Sequence, residues 1–137
     1  MPTEGMVHAL HRARALLAAD GCAIDLRPTS ETARVEYGGT LLGPLDADAA
    51  DRRHLAAEEA LAEVLAAGVF RLDGEREFWF RTYGDSIEEL RDHVHTTWRD
   101  SRVSDALVSH AHVAHRADPG FALCVAEQLR IARLLPR

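Results

Sequence analysis

The chain contains no lysine and no asparagine. Its 16 basic residues are all arginine, and alanine is abundant. Lysine and asparagine use A-rich codons, whereas alanine and arginine use GC-rich ones. The bias therefore indicates a gene from a GC-rich bacterial genome, and it carries no chemical information about function.

Cysteine is scarce, and long apolar runs are missing. The two cysteines, Cys22 and Cys124, lie in short apolar runs, so we expect buried, reduced thiols and no disulfide. The first ten residues lack the apolar core of a signal peptide, and no stretch approaches the length of a membrane span. We therefore expect a cytoplasmic protein that does not contact a membrane.

A concentrated positive face is also missing. The net charge is −6, and the arginines are scattered among acidic residues. Binding to nucleic acid needs clustered cations that displace counterions, so we expect no nucleic-acid partner. An acidic surface suits a protein partner or a neutral small molecule better.

The length and the apolar pattern predict one α/β domain over residues 1–137. We expect helices over about 6–19, from Asp46 or Asp48 to 67, from Ser86 onward, and from Ser104 or Asp105 to about 116. The segment CAIDLRP predicts a strand, and ARVEYGGTLLGPL predicts a hairpin. The fold class is therefore a mixed sheet of four or five strands flanked by about four helices.

Two later segments complete the predicted sheet. VFRL and REFWFRTY are typical of two strands joined by a DGE turn. In the second of these strands we expect Phe78 and Phe80 to enter the core and Trp79 to face the other way. The final FALCVAEQLRIARLLP predicts a strand, although its Leu, Ala and Gln also favour a helix.

Three segments carry a resemblance to a known family. ALHRARALLAADGCAIDLRPT resembles the helix and strand that follow the cofactor site in class I S-adenosylmethionine-dependent methyltransferases. EREFWFRTYGDSIEELRDHV is similar to the sixth strand of that family and its helix, and LCVAEQLRIARL to its seventh, antiparallel strand. The turn at Ala19, Asp20 and Gly21 lacks the proline and one glycine of the family. The resemblance covers most of the chain but only the C-terminal half of the family's fold.

The resemblance implies a methyltransferase-like domain without its cofactor-binding half. The family holds the cofactor on a Gly-rich turn after the first strand, and this chain has no GxGxG segment. We therefore expect no cofactor and no activity of the isolated chain. A half-fold bares a strand edge and an apolar face, so we expect a homodimer or docking on a partner protein. One such partner is the cofactor-binding half of a split methyltransferase, of which this chain would be the second half.

A second hypothesis is a small-molecule-binding protein or small enzyme. Its pocket would lie near Arg27, Tyr37, Trp79 and Tyr83. Arg27 ends a predicted strand, and ligands of open α/β sheets gather outside such strand ends. The chain has no GxSxG segment, so no catalytic nucleophile is identified.

The histidines give a third, weaker hypothesis of a metal-binding protein. In the segment HAHVAH only His112 and His115 share a helix face, and no cysteine or carboxylate stands beside them at ligand spacing. These two residues are the metal candidates. We expect instead solvated or half-buried histidines and no bound metal.

Overall fold

The computed structural model describes residues 3–137, which form four helices and five strands. In chain order the elements are α1 (Thr3–Leu16), β1 (Ala23–Pro28), β2 (Arg34–Tyr37), β3 (Thr40–Pro44), α2 (Asp48–Ala66), β4 (Phe70–Gly84), α3 (Ile87–Thr97), α4 (Asp105–Ala117) and β5 (Leu123–Pro136). The α/β class and the predicted numbers of strands and helices are confirmed. The last segment is a strand, which decides between the two alternatives that the sequence left open.

The five strands hydrogen-bond into one sheet in the order β1-β5-β2-β3, and β4 also pairs with β5. The pairs β1–β5, β2–β3 and β2–β5 are antiparallel. A β-bulge between Val35 and Glu36 interrupts the β2–β3 ladder. Such a bulge bends the strand just before its tight turn.

The described residues divide into two compact units, and β4 and β5 contribute residues to both. The first unit comprises residues 3–30, 52–78 and 129–137, and the second comprises residues 31–51 and 79–128.

The core of the first unit is formed by α2 and three strand residues. Its buried members are Leu61, Val64, Phe70, Ala132 and Leu134. Val7, Leu10 and Ala13 of α1 pack against them, and so does Leu17, which directly follows the helix. The apolar spacing of the sequence predicts a stripe of Met6, Leu10, Ala13 and Leu17, of which the last three pack against this core and Met6 does not.

The core of the second unit is formed mainly by α3 and α4 against β2 and β5. Both helices begin at a serine whose side chain caps the first turn: Ser86 Oγ accepts from Glu89 N–H, and Ser104 Oγ accepts from Leu107 N–H. The apolar stripe of α3 is buried at Ile87, Leu90 and Val94. The predicted starts of both helices are confirmed.

Three expectations are wrong. The strand β4 runs without a turn from Phe70 to Gly84, because Gly74 has φ 146°, a conformation that glycine adopts without strain. Phe78 and Phe80 are 40% and 51% exposed. Cys22 is exposed, whereas Cys124 is buried as expected.

Candidate functional site

The second unit contains a cavity of about 550 Å³ at the start of α3. The end of β4 and the first turn of α3 form one side, α4 another, and the start of β5 a third. The lining residues are Tyr37, Tyr83, Gly84, Asp85, Ser86, Ile87, Glu88, Glu89, Ala111, His112, His115, Phe121, Ala122 and Leu123. This volume lies within the range of ligand-binding pockets.

Tyr37 is a cavity residue whose side chain is held by several contacts. Its side chain is buried at the end of β2, and its hydroxyl donates to the Asp118 carbonyl oxygen at 2.8 Å. The Tyr37 hydroxyl oxygen also accepts from the Phe121 N–H at 3.4 Å and lies 3.4 Å from His115 Nδ1. The rings of Phe121 and His115 meet Tyr37 edge-on, with centroid distances of 6.0 and 6.2 Å. The end of α4 and the loop that follows it thus hold one aromatic ring in place.

The turn after Tyr37 brings Phe121 against the hairpin. Gly38 and Gly39 both have positive φ, at 58° and 82°, as a two-residue type I′ turn requires. Gly38 N–H donates to the Ala122 carbonyl oxygen at 2.8 Å. A Cβ at Gly38 would lie 2.8 Å from Phe121 Cγ, so the glycine is needed for this close approach.

The side of the cavity at α3 is acidic. Asp85, Glu88 and Glu89 all line it. Glu88 Oε1 lies 2.6 Å from His112 Nε2, which links α3 to α4. The pKa of Glu88 is lowered, first by its own backbone N–H and then by His112, with desolvation opposing in part. Glu88 is therefore ionised at neutral pH.

The structure brings together some of the predicted residues but not others. Tyr37 and Tyr83 line the cavity, and so do His112 and His115. Arg27 belongs to the first unit, where it donates twice to Asp25 at 2.7 and 2.8 Å and once to a backbone carbonyl of α2 at 2.7 Å. Its guanidinium is thus engaged in structural bonds.

Trp79 contacts a charged network in the second unit. The guanidinium carbon of Arg34 lies 4.0 Å from its ring centroid. The Glu36 carboxylate, only 5% exposed, accepts from Arg34 Nε at 2.8 Å and from Arg81 Nε at 2.9 Å. Desolvation raises the pKa of Glu36, but the two arginines outweigh it and the net pKa is lowered.

Cys124 lies beside this network. Its Sγ is 3.8 Å from Glu36 Oε1. Desolvation first, and the charge of Glu36 second, raise the pKa of the thiol. The buried thiol therefore stays protonated at neutral pH, the form in which a cysteine is a weak nucleophile.

Sequence reasoning missed Glu88 and Phe121 as cavity residues. Glu88 follows the capping serine by two positions, and Phe121 follows the helix-breaking segment DPG. Neither pattern indicates a ligand site, because both residues become part of the cavity only when folding packs β2 and α4 beside them. Within residues 3–137, no group of three or more His, Cys, Asp or Glu side chains is arranged to hold a metal ion.

No family model matches this chain, and no curated protein or solved structure is significantly similar to it. The resemblance to methyltransferases therefore stays a prediction. Within the described residues, no helix has both the length and the apolar character to cross a bilayer.

Proposed function

We propose that this chain is a small-molecule-binding protein whose ligand occupies the cavity between Tyr37, Phe121 and the first turn of α3. The observation that carries the proposal is the cavity itself, about 550 Å³ with aromatic and ionisable side chains converging on it. Pockets of this size with a few fixed polar groups are the usual sites of small ligands. The fixed Tyr37 ring supplies a preformed wall, which reduces the entropy lost on binding.

The test is a two-dimensional amide NMR titration of the ¹⁵N-labelled protein with two small aromatic probes, benzyl alcohol and benzylamine. We expect saturable shifts confined to the amides around Tyr37, Phe121 and the start of α3. For probes of this size the expected dissociation constant is on the order of 1 mM.

A pair of matched variants locates the binding. Ala122→Trp places a large ring at an exposed residue that lines the cavity, and it should weaken the binding of both probes. Val113→Trp makes a change of the same kind at an exposed position of α4 outside the lining, and it should leave binding unchanged. The proposal fails if neither probe shifts the cavity amides, or if both variants act alike.

A second candidate function is the one that the methyltransferase resemblance implies. The chain would be a non-catalytic, methyltransferase-like module of a bacterial, cytoplasmic protein that forms a homodimer or docks on a partner. The supporting observation lies in the first unit, where β1 ends the strand order. The β1 residues Ile24 and Leu26 are 58% and 56% exposed. Leu26 lies opposite Ile131 of β5, which is 36% exposed. An apolar edge strand is a site for pairing with another chain.

Sedimentation equilibrium tests this second candidate. We expect a dimer whose dissociation constant rises in Leu26→Glu and does not change in Leu16→Glu, which alters an 84% exposed leucine on α1. A monomer at every concentration would exclude the homodimer. Calorimetry with S-adenosylmethionine adds a separate check, because tight binding by the isolated chain contradicts a module without a cofactor site.

A further inference from the structure

The permanently charged residues of the cavity lining are all acidic, and His112 and His115 are its titratable basic residues. Three of its fourteen residues are carboxylates, namely Asp85, Glu88 and Glu89, and none is arginine or lysine. One carboxylate, Glu88, is engaged with His112. Even with that histidine protonated, the α3 side of the cavity keeps a net negative charge. A ligand that enters this cavity therefore meets a negative potential in a partly enclosed space, where charges are less screened than in bulk water.

The start of α3 does not offset this charge. A free helix N-terminus attracts anions through its unpaired N–H groups and its dipole. Here Glu89 N–H donates to Ser86 Oγ at 3.1 Å, and Asp85 N–H donates to Glu89 Oε2 at 3.3 Å. The carboxylate of Glu88 also interacts with its own backbone N–H, which lowers the pKa of Glu88. The N–H groups of Asp85 and Glu89 are thus already bonded within the chain, which leaves fewer donors for an anionic ligand.

Aromatic faces complete the lining. Tyr37, Tyr83 and Phe121 all contribute to it, and the faces of aromatic rings attract organic cations. Phe121 and Tyr83 are 56% and 62% exposed. Such exposure is typical of walls that a ligand covers when it binds.

We propose that the ligand of this cavity is a small organic cation, an ammonium group on an aromatic or apolar body. This inference rests on the proposed ligand-binding function and names its ligand class. The ammonium group donates to the Asp85 carboxylate, to which no side chain within residues 4–137 donates a hydrogen bond. The apolar body packs against Phe121 and Tyr83.

Three probes that share one ring and differ in charge test the inference. At pH 7.5 benzylamine is cationic, benzyl alcohol is neutral and benzoate is anionic. In the amide NMR titration we expect benzylamine to bind roughly tenfold more tightly than benzyl alcohol. Benzoate should leave the cavity amides unshifted.

Asp85→Asn should weaken the binding of benzylamine about three- to fivefold and leave that of benzyl alcohol unchanged. The control is Asp92→Asn, which removes the same charge from an exposed position of α3 outside the cavity lining. It should change neither affinity. Well-dispersed amide spectra of both variants establish that they are folded.

The possible results separate the two proposals. If benzyl alcohol or benzoate binds the cavity as tightly as benzylamine, the cavity is a ligand site but the inference of a cationic ligand is wrong. It is also wrong if Asp92→Asn weakens benzylamine binding as much as Asp85→Asn does. If none of the three probes shifts the cavity amides, the proposed function itself fails.

Discussion

Replacing Gly38 and Gly39 by alanine, one at a time, tests how the hairpin turn positions the cavity wall. Both residues have the left-handed φ of a type I′ turn, at 58° and 82°. A Cβ at Gly39 would have no neighbour within 4 Å. A Cβ at Gly38 would lie 2.8 Å from Phe121 Cγ, 2.9 Å from Phe121 Cβ and 3.1 Å from its Cδ1. The two variants therefore share a backbone effect and differ in one steric contact.

The expected loss of stability differs accordingly. The left-handed backbone costs an alanine about 1–2 kcal/mol at either position, and the lower chain entropy of unfolded alanine returns about 0.4–1 kcal/mol. At Gly38, overpacking adds about 1–3 kcal/mol. Rotation of the Phe121 side chain about its Cα–Cβ bond relieves the contacts with Cγ and Cδ1 but not the one with Cβ, so the backbone must move. We expect Gly38→Ala to destabilise by about 2–4 kcal/mol and Gly39→Ala by about 1 kcal/mol.

Urea denaturation followed by circular dichroism measures both losses, with equal m-values as the condition for comparing them. The titration with benzylamine adds a second measurement, because a displaced Phe121 should weaken binding in Gly38→Ala and not in Gly39→Ala. Equal losses of stability in the two variants would refute the reasoning. So would a Gly38→Ala variant with unchanged ligand affinity, since Phe121 would then not depend on the missing Cβ.

Three further predictions concern single side chains. Glu36→Gln should destabilise by about 1–3 kcal/mol at neutral pH. The pKa of Glu36 is lowered in the folded protein, so its contribution to stability is present above the unfolded glutamate pKa of about 4.3. This contribution is lost as the pH falls through the folded-state pKa. The difference in stability between Glu36→Gln and wild type should therefore shrink in acid. The pH dependence of Glu127 has the opposite sign. Burial raises the pKa of Glu127, so its contribution to stability is present below about pH 4.3 and is lost as the pH rises. Glu127→Gln should therefore be more stable than wild type at pH 7 and equal to it at pH 4 in urea titrations. Phe80→Ala should cost about 1 kcal/mol, against about 3–5 kcal/mol for Phe70→Ala, since the two residues are 51% and 1% exposed; equal costs would contradict the exposed position of Phe80.

The sequence predicts well those features that depend on neighbouring residues. Ser86 and Ser104 cap helices because a serine side chain reaches the N–H groups only two or three positions ahead. The Gly38–Gly39 hairpin is likewise recognisable, since the turn type itself demands positive φ. Both signals act within a few residues and need no knowledge of the tertiary fold.

The cavity is only partly predictable for the opposite reason. Tyr37 and Tyr83 are candidates from the sequence, and both line the cavity. The acidic side contributed by Glu88 and the ring of Phe121 belong to it through packing between segments far apart in the chain. Arg27 shows the converse, because its position at a strand end is correctly predicted while its donors are used by Asp25 and α2.

The facing of β4 shows why correct alternation does not fix which side of a strand is buried. Trp79 does lie opposite Phe78 and Phe80 in a strand of period two, yet hydrophobicity alone selects the wrong face. In the second unit the nearly buried Glu36 needs cationic partners, because an unpaired buried carboxylate is more costly than a half-exposed phenyl ring. Arg81 supplies one of these partners from β4. Residues two apart share a face, so the pairing of Arg81 takes Trp79 to the same side and turns Phe80 to solvent.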